Sequence, residues 1–256
     1  SDNPIELADG NKVLSMTDFA LQTASGTLAF EREYNQSQRN NPRYQFMGLG
    51  WSHRLGESLI VAGTAPTRTA QVYFGNGGVL KLNESGANQF VAEPGSTSSM
   101  TVSGSNFILT AQDKSTYEFE PTATSGLFRL KVRRWPTTEA WNYTYTSDKM
   151  VQVDDGYGRQ IKLSYRTAAG FDNGQLWRVG DQTASGLDTA APSGRYVEFT
   201  YTPEKNNGVT IANPRALLVS IRDVRGQVWS YEYYGQLVGQ SDTTQLNLLT
   251  KRLSPS

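Results

Sequence analysis

Apolar and polar residues alternate with period two along most of this chain, from about Gln71 to Tyr233. Alternation of that kind puts successive side chains on opposite faces of a β-strand. The clearest stretch is VQVDDGYGRQIKLSY, residues 151–165. Val151 and Val153 alternate with polar residues, and so do Ile161, Leu163 and Tyr165. Between them, DDGYGR has the residues of a turn: Asp accepts hydrogen bonds from nearby amides, and Gly tolerates positive φ. The stretch predicts a β-hairpin of two short strands.

The same spacing returns in VSIRDVRGQVWSYEY, residues 219–233, with Asp223 and Gly226 where Asp155 and Gly158 stand. A third copy runs from Trp177, Val179 and Asp181 to Gly194, Val197, Phe199 and Tyr201, with a longer loop inserted. A looser one pairs FRLKV (128–132) with Trp141, Tyr143 and Tyr145, and a shorter relative is FILTAQDKSTYEF (107–119). QVYFGNGGVLKL (71–82) predicts another hairpin with Gly75 to Gly78 at its turn. The copies begin roughly 20 to 40 residues apart, as in architectures where each unit buries its apolar face against its neighbours. LNLLTKRLSPS at the end resembles the first strand of one more copy, so the natural chain is expected to continue beyond Ser256. Residues 12–22, KVLSMTDFALQ, are the best helix candidate and are read as extended structure with a turn. The expected fold is all-β: repeated antiparallel hairpins in a curved or spiral sheet, a partial shell with little or no helix.

Composition narrows the function classes. The 256 residues carry 24 Lys+Arg against 24 Asp+Glu, so net charge marks no nucleic-acid or anionic-membrane partner. Without cysteine there is no disulfide, thiolate metal site or cysteine nucleophile. No apolar run is long enough for a membrane-spanning helix. No signal peptide opens the chain, although SDNP leaves room for a targeting segment upstream.

Candidate chemistry is sparse. His53 is the single histidine and is read as packing beside Trp51 in a tight GLGWSH corner. Asp154 and Asp155 are adjacent, so a strand would aim them at opposite faces, unsuited to shared acid–base work. Asp155, Asp181 and Asp223 recur at one place in the repeat, which turn formation explains better than calcium binding. Trp141, Tyr143, Tyr145, Trp229, Tyr231 and Tyr233 could line a sugar-stacking groove, but at alternate positions they read as sheet packing. GNGG lacks the Lys-Ser/Thr of a phosphate loop. Asn35, Asn83 and Asn142 begin glycosylation sequons, the last inside a predicted strand. No catalytic, cofactor-binding or metal residue is assigned, and no enzymatic activity is expected.

The first sixty residues have their own character: NPIELADGNKVLSMTDF (3–19), GTLAFEREYNQS (26–37) and GLGWSHRL (48–55). This ordered set resembles the small module that precedes the repeats in Rhs/YD-repeat proteins, and the hairpins resemble that family's repeats. The Tyr-Asp dipeptide that names the repeat is missing: Tyr165 is followed by Arg166, Tyr201 by Thr202 and Tyr233 by Tyr234. The units are therefore read as degenerate or early repeats. The resemblance implies a leading module at 1–65 and hairpin repeats at 66–256. It also implies a spiralling β ribbon that encloses a C-terminal toxin or, in relatives such as teneurins, supports cell-surface adhesion. No segment matches the family's self-cleaving protease. The expected role is a non-catalytic wall segment of a secreted or cell-surface bacterial protein. Its partners would be downstream repeats and the toxin of the same polypeptide. The alternative is an adhesion or carbohydrate-binding module with a cell-surface or glycan partner.

Overall fold

A computed structural model describes residues 11–23, 26–39, 46–75, 78–137, 139–240 and 248–255. Among them the regular structure is strand, apart from one 3-10 turn at Gln36–Gln38. The chain divides into two compact units. One comprises residues 54–161 with 20–29, the other residues 1–19, 30–53 and 162–256.

The leading strands are β1 (Val13–Thr23), β2 (Gly26–Asn35) and β3 (Trp51–His53), in one three-stranded sheet. β1 corrects the expectation of a turn within residues 12–22. It runs as one strand, with Thr17 and Asp18 inside it.

The first unit holds β4 (Ser58–Ala62), β5 (Thr69–Tyr73), β6 (Val79–Gly86), β7 (Gln89–Ala92), β8 (Ser99–Ser103), β9 (Asn106–Thr110), β10 (Thr116–Pro121), β11 (Leu127–Arg134), β12 (Ala140–Thr146) and β13 (Lys149–Asp154). From β4 to β11 each strand pairs with its successor. β11 then pairs back with β4 (Phe128 opposite Leu59), closing an eight-stranded antiparallel ring. Eight strands leave an interior that side chains can fill. Leu59, Val72, Leu82, Phe90, Met100, Phe107, Leu109, Phe119 and Leu130 are buried there at the alternate positions of their strands. Phe107 packs edge-on against Phe90 and Phe128, ring centroids 5.8 and 4.7 Å apart. The hairpins read at 71–82 and 107–119 and the strand read at 128–132 are present; β7, β8 and the closure are what the sequence reading did not display. The hairpin at 71–82 is present, Tyr73 facing Val79 and the Phe74 amide donating to Gly78 O; Asn76 and Gly77 of its turn lie outside the described residues.

One edge of β11 serves two neighbours. Residues 127–129 pair with β4 and residues 132–134 with β12. β12 and β13 leave the ring at this fork as an antiparallel pair.

β14 (Gln160–Tyr165) crosses the boundary between the units. The second unit continues with β15 (Leu176–Asp181), β16 (Tyr196–Pro203), the two-residue pair β17 (Lys205–Asn206) and β18 (Val209–Thr210), then β19 (Ala216–Arg222), β20 (Val228–Tyr233) and β21 (Leu249–Leu253). Apart from the β17–β18 pair, these strands lie in sequence order, neighbour beside neighbour. Their inner face packs on the leading strands: the Phe30 and Phe199 rings are 6.2 Å apart, and the Leu49 amide donates to Ala216 O.

Candidate functional site

The repeat itself is the most ordered chemical pattern in the molecule. Its turn aspartates act on backbone. Asp155 accepts from the amides of Tyr157 (2.9 Å) and Arg159 (3.1 Å), and Asp223 from those of Arg225 (2.8 Å) and Gln227 (2.9 Å). Asp181 accepts from the Thr183 amide and hydroxyl, and Asp113 of the shorter relative from the Ser115 amide. Each carboxylate caps the amide two residues on, the turn role read from spacing. Gly158 and Gly226 have φ of +94° and +80°, where an L side chain is strained. Burial pushes the Asp155 carboxyl up, but the Tyr157 and Arg159 amides and the Arg159 guanidinium bring it below the usual carboxylate range overall.

A second feature recurs at the other end of four hairpins. Across β12 and β13, Thr144 faces Gln152 but Tyr145 faces Met150, so Val151 is an extra, bulged residue. Across β16 and β19, Tyr201 faces Leu218 and Val219 bulges. Across β20 and β21, Tyr233 faces Leu249 and Thr250 bulges. Phe119 and Leu130 flank the same irregularity at Lys131. A bulge bends its strand and tightens the local twist.

The tyrosine at each of three bulges is also tied backwards within its own copy. Tyr145 Oη donates to Leu130 O (2.7 Å), Tyr201 Oη to Leu176 O (2.6 Å) and Tyr233 Oη to Leu218 O (2.7 Å). Leu130 and Leu218 immediately precede bulged residues. There the ladder is disrupted and a buried carbonyl needs another donor. The repeat tyrosine is thus a staple, apolar ring in the core and hydroxyl on backbone.

Beneath the leading strands, Trp51 Nε1 donates to Tyr233 Oη at 2.8 Å, with the Trp51 and Tyr231 rings 4.9 Å apart. Buried Arg32 donates to Asp18 (2.7 Å) and to Tyr231 Oη (2.7 Å). Burial raises the Asp18 carboxyl even though Arg32 pulls it down. Sequence reasoning missed Arg32. The signal was there, because in LAFEREY it takes the same strand phase as Leu28, Phe30 and Tyr34.

The fork between β4 and β12 holds another buried polar group. Glu57 lies 3.9 Å from Arg133, whose guanidinium sits over Tyr117 (5.0 Å) and Trp135 (4.4 Å). Glu57 Oε2 is buried without a hydrogen-bond partner, and burial pushes its carboxyl up. Its phase two residues before Leu59 was the legible clue. A carboxylate without two further ligands or a nearby nucleophile has no evident chemistry, so its place is the wedge where two strands diverge.

The remaining sequence candidates stay apart. His53, on β3, packs with its ring centroid 5.4 Å from that of Phe30 on β2. Asp154 faces the Gly156 amide rather than sharing a proton with Asp155. Trp141, Tyr143, Tyr231 and Tyr233 are buried, and half-buried Trp229 lies under Arg252. Asn35 caps the 3-10 turn, while Asn83 and Asn142 lie exposed within strands. Among the described residues no three His, Cys, Asp or Glu side chains group as metal ligands. No helix there is long and apolar enough to cross a membrane.

Residues 2–78 match a family model described as "Domain of unknown function (DUF6531)". No curated protein matches the chain. Among solved structures, the chain is similar to one of the Photorhabdus luminescens Tc holotoxin pore carrying the TccC3-D651A mutation, at 16% identity and a TM-score of 0.41. It is also similar to the crystal structures of TcdB2-TccC3 (17% identity, TM-score 0.38) and TcdB2-TccC3-TEV (18%, 0.36). These matches cover 96% of this chain and only 14% of each of the larger chains.

Proposed function

We propose that this chain is a non-catalytic structural segment, the leading wall of an Rhs/YD-repeat shell that encapsulates or presents a C-terminal toxin of the same polypeptide. The observation that carries the reading is the bulge at each tyrosine of the copies at 128–145, 177–201 and 219–233, with its hydroxyl staple. Val151, Val219 and Thr250 each bulge against the tyrosine of the preceding hairpin, so these hairpins pack as dependent neighbours and each bulge bends its strand locally. That is the local geometry a curved wall requires. The motifs of residues 3–55 supply the family part of the reading, and the division into a leading module at 1–65 and repeats at 66–256 belongs to the same proposal. The work is extracellular in this reading, secreted or at the cell surface. The aspartates are engaged by backbone amides and most of the aromatic strand residues face the core, which supports a scaffold over a carbohydrate-binding module.

The test is limited proteolysis of the toxin-bearing protein with and without residues 1–256. Loss of toxin protection on deletion is expected. Equal protection in both forms, together with saturable binding of this chain on a glycan array, would replace the wall with the adhesion reading.

A further inference from the structure

Leu249 on β21 stands in the frame of the repeat leucines. It faces Tyr233 across the Thr250 bulge, as Leu218 faces Tyr201 across Val219. Leu130, Leu176 and Leu218 each offer their carbonyl to a tyrosine hydroxyl of the same copy. The Leu249 carbonyl is met by a different donor: Lys12 Nζ lies 3.0 Å from it in a buried contact. The amide of the same residue donates to Tyr34 Oη at 3.1 Å. Both polar backbone groups of Leu249 are therefore held by side chains more than two hundred residues away in sequence. An ammonium taken out of water is costly unless it is hydrogen-bonded, and burial lowers the Lys12 pKa.

We propose that Lys12 and Tyr34 form a register clamp, in which Lys12 serves the Leu249 carbonyl as the repeat tyrosines serve those of Leu130, Leu176 and Leu218. β21 is thereby held in the frame of a repeat's first strand by the leading segment, whatever the wall encloses. The consequence is specific to β-structure: a one-residue slip would turn every β21 side chain to the opposite face. Anchoring Leu249 at both polar atoms keeps Lys251 opposite Glu232 and Leu253 opposite Ser230. Lys12 and Tyr34 are positioning residues, acting through backbone.

The test is residue-resolved hydrogen exchange on the 256-residue chain. Lys12→Met keeps the stem and removes the donor; Tyr34→Phe keeps the ring and removes the acceptor. Each is expected to speed exchange of the Leu249–Leu253 amides about tenfold while β16 amides hold their rates. Lys12→Arg, which restores an N–H donor, is expected to return β21 to within about threefold of the parent. Unchanged β21 exchange in both removal variants would overturn the clamp. So would a rise in β16 equal to that in β21, which would mean general loosening. If Lys12→Met does not fold, Tyr34→Phe decides by the same comparison of β21 with β16.

Discussion

The eight-stranded ring and the β15–β21 sheet are built from the same antiparallel hairpins, yet they complete themselves differently. In the ring, β11 returns to β4, so every strand from β4 to β11 has a neighbour on both sides and the interior is almost wholly apolar. Closure removes free edges by backbone pairing alone. Among the described residues β21 does not pair back with β15, and the inner face of β15–β21 packs on β1–β3 instead. That cover is fastened by polar groups: Arg32 to Asp18 and Tyr231, Trp51 to Tyr233, and Lys12 and Tyr34 to Leu249. The lesson is that one supersecondary unit supports two kinds of completion. A closed sheet needs volume filled, whereas an open one also needs directional contacts that say where its cover sits.

Substitutions can break that contrast. Phe119→Ala empties a fully buried position on β10, opposite Leu130 of the closing strand, and a loss of about 4 kcal/mol is expected by urea unfolding. Hydrogen exchange should place it in β9–β11; equal loosening of β15–β21 would erase the distinction between the two regions. Arg32→Ala leaves Asp18 as a buried carboxylate without its cation and should cost about 3 kcal/mol. Its effect belongs to β1, β2 and β20, and a variant as stable as the parent would show that the cover is not held by charge.

Tyr233→Phe removes one hydroxyl but leaves two groups without it, Trp51 Nε1 and Leu218 O, so about 2 kcal/mol is expected. Tyr145→Phe, whose ring is only half-buried, should cost about 1 kcal/mol because water can replace the hydroxyl. Equal costs in a chemical-denaturation series would mean that the Trp51 bond contributes nothing.

The smallest effect concerns Glu57. Burial raises its folded-state pKa, so the folded protein holds that proton more tightly than the unfolded chain does. Its contribution is fully present below the ordinary glutamate range and is lost as pH rises through the folded value. Stability should therefore fall as pH rises above the ordinary glutamate range, and Glu57→Gln should flatten that slope. An identical pH profile in both proteins would mean that Arg133 already holds the carboxylate ionised.

How much was legible depended on how local the cause was. The turns were: Asp155 and Asp223 lie within four residues of every amide they bind, and Gly158 and Gly226 sit where a positive φ is required. The strands were, because burial on β2, β9, β10 and β16 follows the period of two. The bulges were not. Val151, Val219 and Thr250 look like ordinary strand residues, and only pairing with the strand before reveals the extra position. Arg32 and Glu57 were half-legible, as charges on an apolar phase whose partners sequence does not name.

By itself, then, the amino-acid order determined the all-β class, the repeat hairpins and their turn chemistry, since period-two patterning and Asp-Gly turns act within a few residues. Tertiary structure alone decided that β11 closes on β4, that it forks toward β12, and that Lys12 meets Leu249. Those outcomes rest on which distant edges and carbonyls come to lie side by side. A strand's pattern says which face is apolar, and carries no mark of which neighbour its backbone will find.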